Sequence, residues 1–265
     1  MTLQRVLGAS LAGLLIGLLV WLPARTLAPL LPAGVQCAEW AGRAWDGGCA
    51  RLVVQNMDFG EVRWGLRSPS SWTLIPELEL RWARADSALS AGLVMAGSRQ
   101  IEVRRLRADL AFATLRESLP AAALSQLSLP RAGRLRTTDL SLRLDRLDGG
   151  GWRASRLAGT AKVTGLVTAV GRAPSGMAPA EAVPLGDYEV TFGAPQASSD
   201  ATMGQVRDLG GPIQLRGDLL LQPAESRYRL TARLQARSPT ARQLLESLGP
   251  SAPDGSRELS LEGGY

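Results

Sequence analysis

The sequence contains no histidine among its 265 residues, and Lys162 is the one lysine among 30 basic residues. Without histidine, the chain cannot form Ser-His or Cys-His nucleophile pairs, and it lacks the commonest metal ligand. The acidic residues mostly alternate with apolar ones along predicted strands, where solvent keeps the chemistry of a carboxylate ordinary. We therefore expect no enzymatic activity, no metal and no other cofactor.

Cysteine is nearly absent as well, since Cys37 and Cys49 are the two in the chain. They lack the CxxC spacing of a redox or zinc pair. With no third cysteine to compete, a disulfide between them is the favoured interpretation, and it would indicate an oxidising compartment such as a bacterial periplasm. Two unpaired buried thiols are the alternative, because spacing alone does not bring two Cα atoms within bridging range.

Long apolar runs are also scarce, and the sequence has one, the 17 uncharged residues Val6 to Leu22. As a helix this run would be about 25 Å long, at the short end of what crosses a bilayer core. Trp21 lies at its far end, where an interfacial aromatic residue belongs. The run predicts a retained membrane anchor. A cleavable signal peptide is the alternative, since Arg5 precedes the run and Thr26-Leu27-Ala28 after it is a tolerable, though poor, cleavage site.

These features divide the chain into four predicted segments. Residues 1–5 are a cytoplasmic tail, residues 6–22 a transmembrane anchor, residues 23–36 a proline-containing spacer and residues 37–265 a periplasmic β domain. A stretch rich in proline, glycine and alanine at residues 171–184 is the best boundary if the domain has two lobes.

Apolar residues alternate with charged ones after the spacer. Val62, Trp64 and Leu66 share one side of a predicted strand, and a second strand carries Leu78, Leu80 and Trp82 in the same way. This period of two is typical of half-buried strands. The strand at residues 101–110 changes phase midway, which predicts a one-residue bulge.

The clearest local pattern lies near the C-terminus, where residues 213–234 alternate as a β-hairpin. Ser238 and Pro239 then have the order that begins a helix.

Two further elements are predicted upstream of this hairpin. Thr114 and Glu117 are spaced as a helix-capping box, and Pro120 suits the start of a second short helix. Residues 197–203 suggest a polar loop. The fold class is therefore mainly β, an antiparallel curved sheet or open sandwich with one or two short helices.

Several of these segments resemble one family, protein N of the bacterial type II secretion system. The similar motifs are, in order, Trp45 with Gly47-Gly48, Gly60 through Trp64-Gly65-Leu66 to Pro69, Gly217 to Leu221, Tyr228-Arg229-Leu230, Ala232-Arg233-Leu234, Leu244-Leu245, Leu248-Gly249, Pro253-Asp254-Gly255 and Leu259 to Gly264. The resemblance covers the whole layout, including a single anchor, but about residues 90 to 185 carry no matching motif.

The resemblance implies a non-catalytic subunit that is anchored in the inner membrane and assists export of folded proteins across the outer membrane. It implies partners among the L, M or C platform proteins or the outer-membrane secretin. The partner-contact module would carry Tyr228, Arg233, Leu244, Leu248, Gly249, Pro253, Asp254 and Gly255. No nucleic acid is expected, because the arginines are spread along the chain and mixed with acids.

A second interpretation comes from a looser resemblance to AsmA-like and bridge-like lipid transfer proteins. An anchored, strand-rich periplasmic domain can form an apolar groove that binds a lipid chain. The sequence leaves this alternative open, since it does not show whether both faces of the predicted sheet are covered.

Overall fold

The computed structural model describes residues 17–18, 20–55, 57–67, 76–118, 130–148, 151–170, 181–193, 201–222, 225, 227–246 and 251–264. The chain divides into two compact units, Met1–Ala85 (unit 1) and Asp86–Tyr265 (unit 2). Both units consist mainly of antiparallel strands.

Unit 1 contains a short 3-10 helix followed by five strands. The elements are the 3-10 helix Ala24–Leu30, β1 Val35–Cys37, β2 Trp40–Gly42, β3 Asp46–Val54, β4 Met57–Arg67 and β5 Glu77–Arg84. Strands β1 and β2 lie end to end along one edge of β3, β4 pairs with the other edge of β3, and β5 pairs with β4.

The alternation predicted for β4 and β5 is confirmed by their pairing. Trp64 lies opposite Leu80 and Leu66 opposite Leu78, so the apolar residues of both strands share one face. The charged residues between them fall on the other face, because successive side chains of a strand point to opposite sides.

Unit 2 is a meander in which each strand pairs antiparallel with the next in the sequence. Its elements are β6 Ser87–Met95, β7 Gln100–Ala111, α1 Phe112–Ser118, β8 Ala132–Arg146, β9 Trp152–Val170, β10 Glu181–Phe192, β11 Thr202–Gly210, β12 Ile213–Gln222, β13 Arg227–Ala236, α2 Pro239–Glu246 and β14 Arg257–Gly264. The mainly antiparallel fold class is thus confirmed, as an open sheet in each unit.

The bulge predicted in β7 is confirmed. The pairing of β7 with β8 shifts between Val103 and Leu106, and Arg105 between them has a positive φ of 51°. The capping box predicted at Thr114 is wrong, since α1 begins two residues earlier and the Thr114 hydroxyl donates to Asp86 Oδ1 at 2.9 Å. The second helix predicted from Pro120 lies outside the described residues.

Two predicted loops are shorter than expected. Thr202 and Met203 belong to β11, so the polar loop predicted through residue 203 is wrong at its end, and residues 197–200 lie outside the described residues. Similarly, Glu181 to Pro184 begin β10, which pairs with β9 across the predicted lobe boundary. Residues 171–180 lie outside the described residues, so a boundary between two lobes there stays a prediction. The two compact units divide the sequence between Ala85 and Asp86.

The predicted anchor is described only at its end. Residues 17, 18 and 20 are helical, whereas Val6 and the other residues up to 16, together with residue 19, lie outside the described residues. Within the described part of the chain, no helix has the length and apolar character needed to cross a membrane.

Candidate binding surfaces

A disulfide bond joins Cys37 of β1 to Cys49 of β3. The two Cα atoms are 5.7 Å apart, within the ordinary range for a bridged pair. The favoured interpretation of the cysteine pair is therefore confirmed, and the alternative of two unpaired thiols is wrong. Because β1 has only three residues paired with β3, the covalent link fixes a strand that few backbone hydrogen bonds hold.

The apolar face of unit 1 lines a cavity of about 520 Å³ that is open to solvent. The 3-10 helix and the following turn form one side, β1 to β3 another, and β4 with β5 the floor. The lining residues are Leu27, Leu31, Val35, Cys37, Trp40, Ala44, Trp45, Cys49, Leu52, Val62, Trp64, Leu66, Leu78 and Leu80.

No charged side chain is among these lining residues. Trp40 and Trp64 meet edge to face, with ring centroids 6.1 Å apart and planes at 77°. The indole N–H of Trp64 donates to the backbone oxygen of Ala44 at 2.9 Å, which satisfies the polar atom of that ring. The Trp64 ring therefore offers the cavity apolar surface alone, and the lining suits an apolar ligand.

The opposite face of the same strands is a polar groove of about 560 Å³. Gly47, Gly48 and Gly65 lie along it, so its floor is largely backbone. The carboxylate of Glu79 is held between Arg81 at 2.8 Å and Arg67 at 3.1 Å. These two ion pairs fix the position of the carboxylate along the groove.

The end of the predicted anchor is tied to the loop that borders the cavity. The backbone oxygen of Leu22 accepts a hydrogen bond from the N–H of Ala44 at 2.8 Å. Trp21 is 69% exposed, and the Arg43 guanidinium lies 4.0 Å from the centre of its ring. A cation over an indole ring is a favourable contact, and tryptophan is enriched at the boundary between lipid and water.

The C-terminal hairpin and helix of unit 2 form its one described cluster of buried apolar residues. Ile213 of β12 and Leu234 of β13 pack against Ala241 and Leu245 of α2. Ser238 caps the start of the helix, since its Oγ accepts a hydrogen bond from the N–H of Ala241 at 3.1 Å. The predicted order of hairpin, cap and helix is confirmed.

The predicted contact residues occupy separate parts of this module. Tyr228 is half-buried on β13, and Arg233 is exposed on the same strand, 3.8 Å from Glu258 of β14. Leu244 belongs to α2, although its side chain, like Leu248 and Gly249, lies outside the described residues. Their role in binding a partner stays a prediction.

Pro253, Asp254 and Gly255 form the turn that leads into β14. The carboxylate of Asp254 accepts hydrogen bonds from the hydroxyl of Ser256 at 2.6 Å and from its backbone N–H at 3.0 Å. These hydrogen bonds lower the pKa of Asp254, the hydroxyl contributing most. Gly255 has a φ of 76°, which favours glycine over residues with a side chain. The turn residues thus have a structural role that the resemblance alone did not reveal.

Sequence reasoning missed a buried carboxylate in unit 2. Glu189 of β10 is only 4% exposed, and it is paired with Lys162 at 3.0 Å and Arg207 at 2.7 Å. The hydrogen bond from Lys162 is the largest cause of its lowered pKa, and Arg207 adds to it. The three residues are direct neighbours across β9, β10 and β11. Only the strand register could have revealed them.

Tyr188, next to Glu189, is not a candidate acid or base. Its hydroxyl donates to the backbone oxygen of Leu185 at 2.6 Å, and burial is the main cause that raises its pKa to about 12. No group of three or more cysteine, aspartate or glutamate side chains suited to a metal ion occurs among the described residues.

Comparison with known proteins gives one match. No curated protein and no solved structure matches the chain significantly. Residues 33–260 match the family model described as type II secretion system (T2SS), protein N. The matched residues include β1 to β13 and the first half of β14. Because the match spans most of the 265 residues, the chain belongs to the family of type II secretion system protein N.

Proposed function

We propose that the protein is a non-catalytic, inner-membrane-anchored subunit of the type II secretion system, with residues 1–5 in the cytoplasm and its β strands in the periplasm. The observation that carries the proposal is the family match over residues 33–260, which includes strands of both units. Family membership makes the chain a component of this machine, and it implies interaction with the other components.

The anchor and the compartment have independent support. The uncharged run Val6 to Leu22 is long enough to cross a bilayer, and Trp21 ends it. The disulfide between Cys37 and Cys49 is typical of an oxidising compartment such as the periplasm. Together these features favour a single span with the β strands on the periplasmic side.

The chemistry of the side chains supports a structural role. The chain has no histidine. Hydrogen bonds from Lys162 and Arg207 lower the pKa of Glu189 from its ordinary value, and burial raises the pKa of Tyr188 to about 12. These groups lack the near-neutral pKa that general acid–base catalysis requires.

Strand β14 offers a surface for partner binding. Among the described strands it pairs only with β13, so no described strand uses the backbone donors and acceptors of its second edge. An extended segment of an L, M or C platform protein, or of the secretin, can add to such an edge as a further strand. We propose this edge, together with the neighbouring turn at Asp254, as the partner contact.

The secretory role is tested by complementation. A strain without the chromosomal copy receives the full chain or a chain that ends before residue 210. We expect the full chain to restore export of a known type II substrate and the truncated chain to fail, although the Cys37–Cys49 disulfide still forms in it. Normal secretion with a stable truncated protein would contradict the proposed module.

The membrane topology is tested with thiol labelling in cells. We expect a polyethylene glycol maleimide to modify Cys37 and Cys49 only after reduction. A matched chain without residues 1–22 should remain in the cytoplasm with both thiols free. Free thiols in the full chain would contradict a periplasmic location.

The partner contact is tested with a photoreactive amino acid in the full chain, in its own membrane. Placed at Leu261, which is 46% exposed on β14, it should form adducts with other secretion components. The matched position is Gln205, an exposed residue of the inner strand β11, where few adducts are expected. Equal adducts at both positions would reject the edge as a specific contact.

A further inference from the structure

The cavity of unit 1 leaves apolar surface open that a sheet normally covers. Trp45 and Leu66 line it and are still 44% and 43% exposed. Its volume of about 520 Å³ lies within the range of ligand-binding cavities. A cavity of this size with an apolar lining is a poor site for water and a good one for hydrocarbon.

The cavity lies close in sequence to the predicted end of the membrane anchor. Leu27 and Leu31, which line it, follow Leu22 within nine residues. The backbone hydrogen bond between Leu22 and Ala44 ties the end of that run to the cavity wall. If residues 6–22 cross the bilayer, the cavity is held near the membrane surface.

Charge distinguishes the lining from its flanks. The lining has no charged side chain. A phosphate group inside the cavity would therefore be buried without an ion-pair partner, which is unfavourable. Arg25 and Arg43 precede lining residues in the chain and are exposed. Arg43 lies over the Trp21 ring and forms a β-bridge with Pro23, two residues before Arg25, so both cations belong to the end of the predicted anchor. Cations there complement a lipid whose phosphate stays at the surface while one chain enters.

We propose that the apolar cavity of unit 1 binds one acyl chain of a membrane phospholipid, with the head group outside the cavity near Arg25 and Arg43. The inference rests on the proposed anchoring of residues 6–22. The disulfide belongs to this site, since Cys37 and Cys49 both line it and the bond holds β1 as one wall. The bound chain covers the apolar surface that the fold leaves open.

The test uses the full chain in vesicles that contain a phosphatidylethanolamine with a diazirine in one acyl chain. After irradiation and digestion, adducts are located by mass spectrometry. We expect adducts on β4 and β5 residues that line the cavity, and a second set within residues 6–22.

Two variants of one lining residue test the cavity directly. Leu80→Asp places a carboxylate in the lining, and Leu80→Trp fills part of the volume without a charge. Either should reduce the β4 and β5 adducts at least about tenfold, equivalent to ~1.4 kcal/mol of binding free energy. The matched control is Arg81→Asp, which places the same carboxylate one residue away on the other face, opposite Arg63, and should leave the adducts unchanged.

Formation of the Cys37–Cys49 disulfide reports that unit 1 has folded in each variant, and Leu80→Trp remains informative if Leu80→Asp does not fold. Adducts confined to residues 6–22 would reject the lipid site while supporting the anchor. Adducts on neither region would reject the anchor and the site together. Adducts on β4 and β5 that persist in a folded Leu80→Trp variant would also reject the cavity as their location.

A protein occupant gives a different result. With a photoreactive amino acid at Leu78, we expect adducts with the mass of a phospholipid. Adducts with a polypeptide, either a second copy or another secretion component, would overturn the proposal.

Discussion

Unit 1 and unit 2 use the same antiparallel strand pairing but protect their apolar faces differently. In unit 2, α2 covers part of the apolar face. Leu245 of α2 packs against Leu234 of β13, and the two side chains are only 3% and 4% exposed. In unit 1, the 3-10 helix and a disulfide border an open cavity, and the tryptophans that line it remain partly exposed.

The difference shows how a sheet is stabilised when its apolar face must stay accessible. A helix that packs on a sheet supplies stability through burial, but it also closes the surface. A disulfide constrains the unfolded chain and leaves the surface free. Unit 1 therefore depends on a covalent link and unit 2 on packing, and substitutions in each unit should affect that unit alone.

The largest effect is expected from Cys37→Ala/Cys49→Ala. Loss of the disulfide should lower the free energy of unfolding of unit 1 by about 3 kcal/mol. Six of the seven tryptophans lie in residues 1–85, so tryptophan fluorescence during denaturation reports on this unit. Hydrogen exchange should rise in β1 to β3 and stay unchanged in β12 to β14. Equal exchange in both regions would show that the two units share their stability.

Leu234→Ala tests the packing of unit 2. Truncation of this side chain should cost about 2 kcal/mol, the low end for a buried leucine, because an open sheet relaxes readily around a cavity. Exchange should rise in α2 and β13 while the disulfide-linked strands keep their protection. The matched control is Leu261→Ala on the neighbouring strand; that leucine is 46% exposed, and its loss should cost less than about 0.5 kcal/mol. Equal costs would refute the packing role of α2.

Much of both regions could be predicted from the sequence wherever apolar and charged residues alternate. The alternation in β4 and β5 located the residues of the cavity floor, and the pattern of β12, β13 and α2 located the packed module. Periodicity could not show that the face in unit 1 stays open, because that depends on which element packs over it.

Strand β11 Thr202–Gly210 shows why the start of a strand could be mistaken for a loop in the sequence. Its buried positions include Thr202 and Gly204, while Met203 is 63% exposed, so its hydrophobic pattern is the reverse of a typical strand. The ring of Phe192 on β10 lies over Gly204, where an added Cβ would come within 2.8 Å of it. An aromatic residue of the neighbouring strand thus covers a glycine. Such a contact can be predicted only when the pairing register of β10 and β11 is known.

Glu189→Gln tests the polar face of unit 2. The substitution should cost about 1 kcal/mol at neutral pH, a modest value because Lys162 and Arg207 are themselves half exposed or more. The matched control is Glu262→Gln, which removes an exposed carboxylate paired with Arg229 and should cost less than about 0.5 kcal/mol. Equal costs in denaturant unfolding would show that burial of Glu189 is irrelevant.

The same carboxylate predicts a pH dependence. Because the folded-state pKa of Glu189 is lower than its ordinary value of 4.5, the unfolded chain binds more protons in this range, and the stabilisation is present above pH 4.5. It is lost as the pH falls through the folded pKa, so the wild type and Glu189→Gln should converge in acid. A difference that stays constant from neutral pH to pH 3 would exclude the ionised carboxylate as its cause.

The smallest effect is expected from Ser238→Ala at the start of α2. Loss of the hydrogen bond from the Ala241 N–H to Ser238 Oγ should cost ~0.5–1 kcal/mol, measured as faster exchange in the first turn of the helix. Thr240→Ala, an exposed change within the same turn, should instead stabilise the helix by a few tenths of a kcal/mol, because alanine has the higher helix propensity. Since α2 covers apolar surface in unit 2 alone, neither change should alter exchange in β3 to β5. A change in those strands would mean that the cavity of unit 1 responds to packing in unit 2.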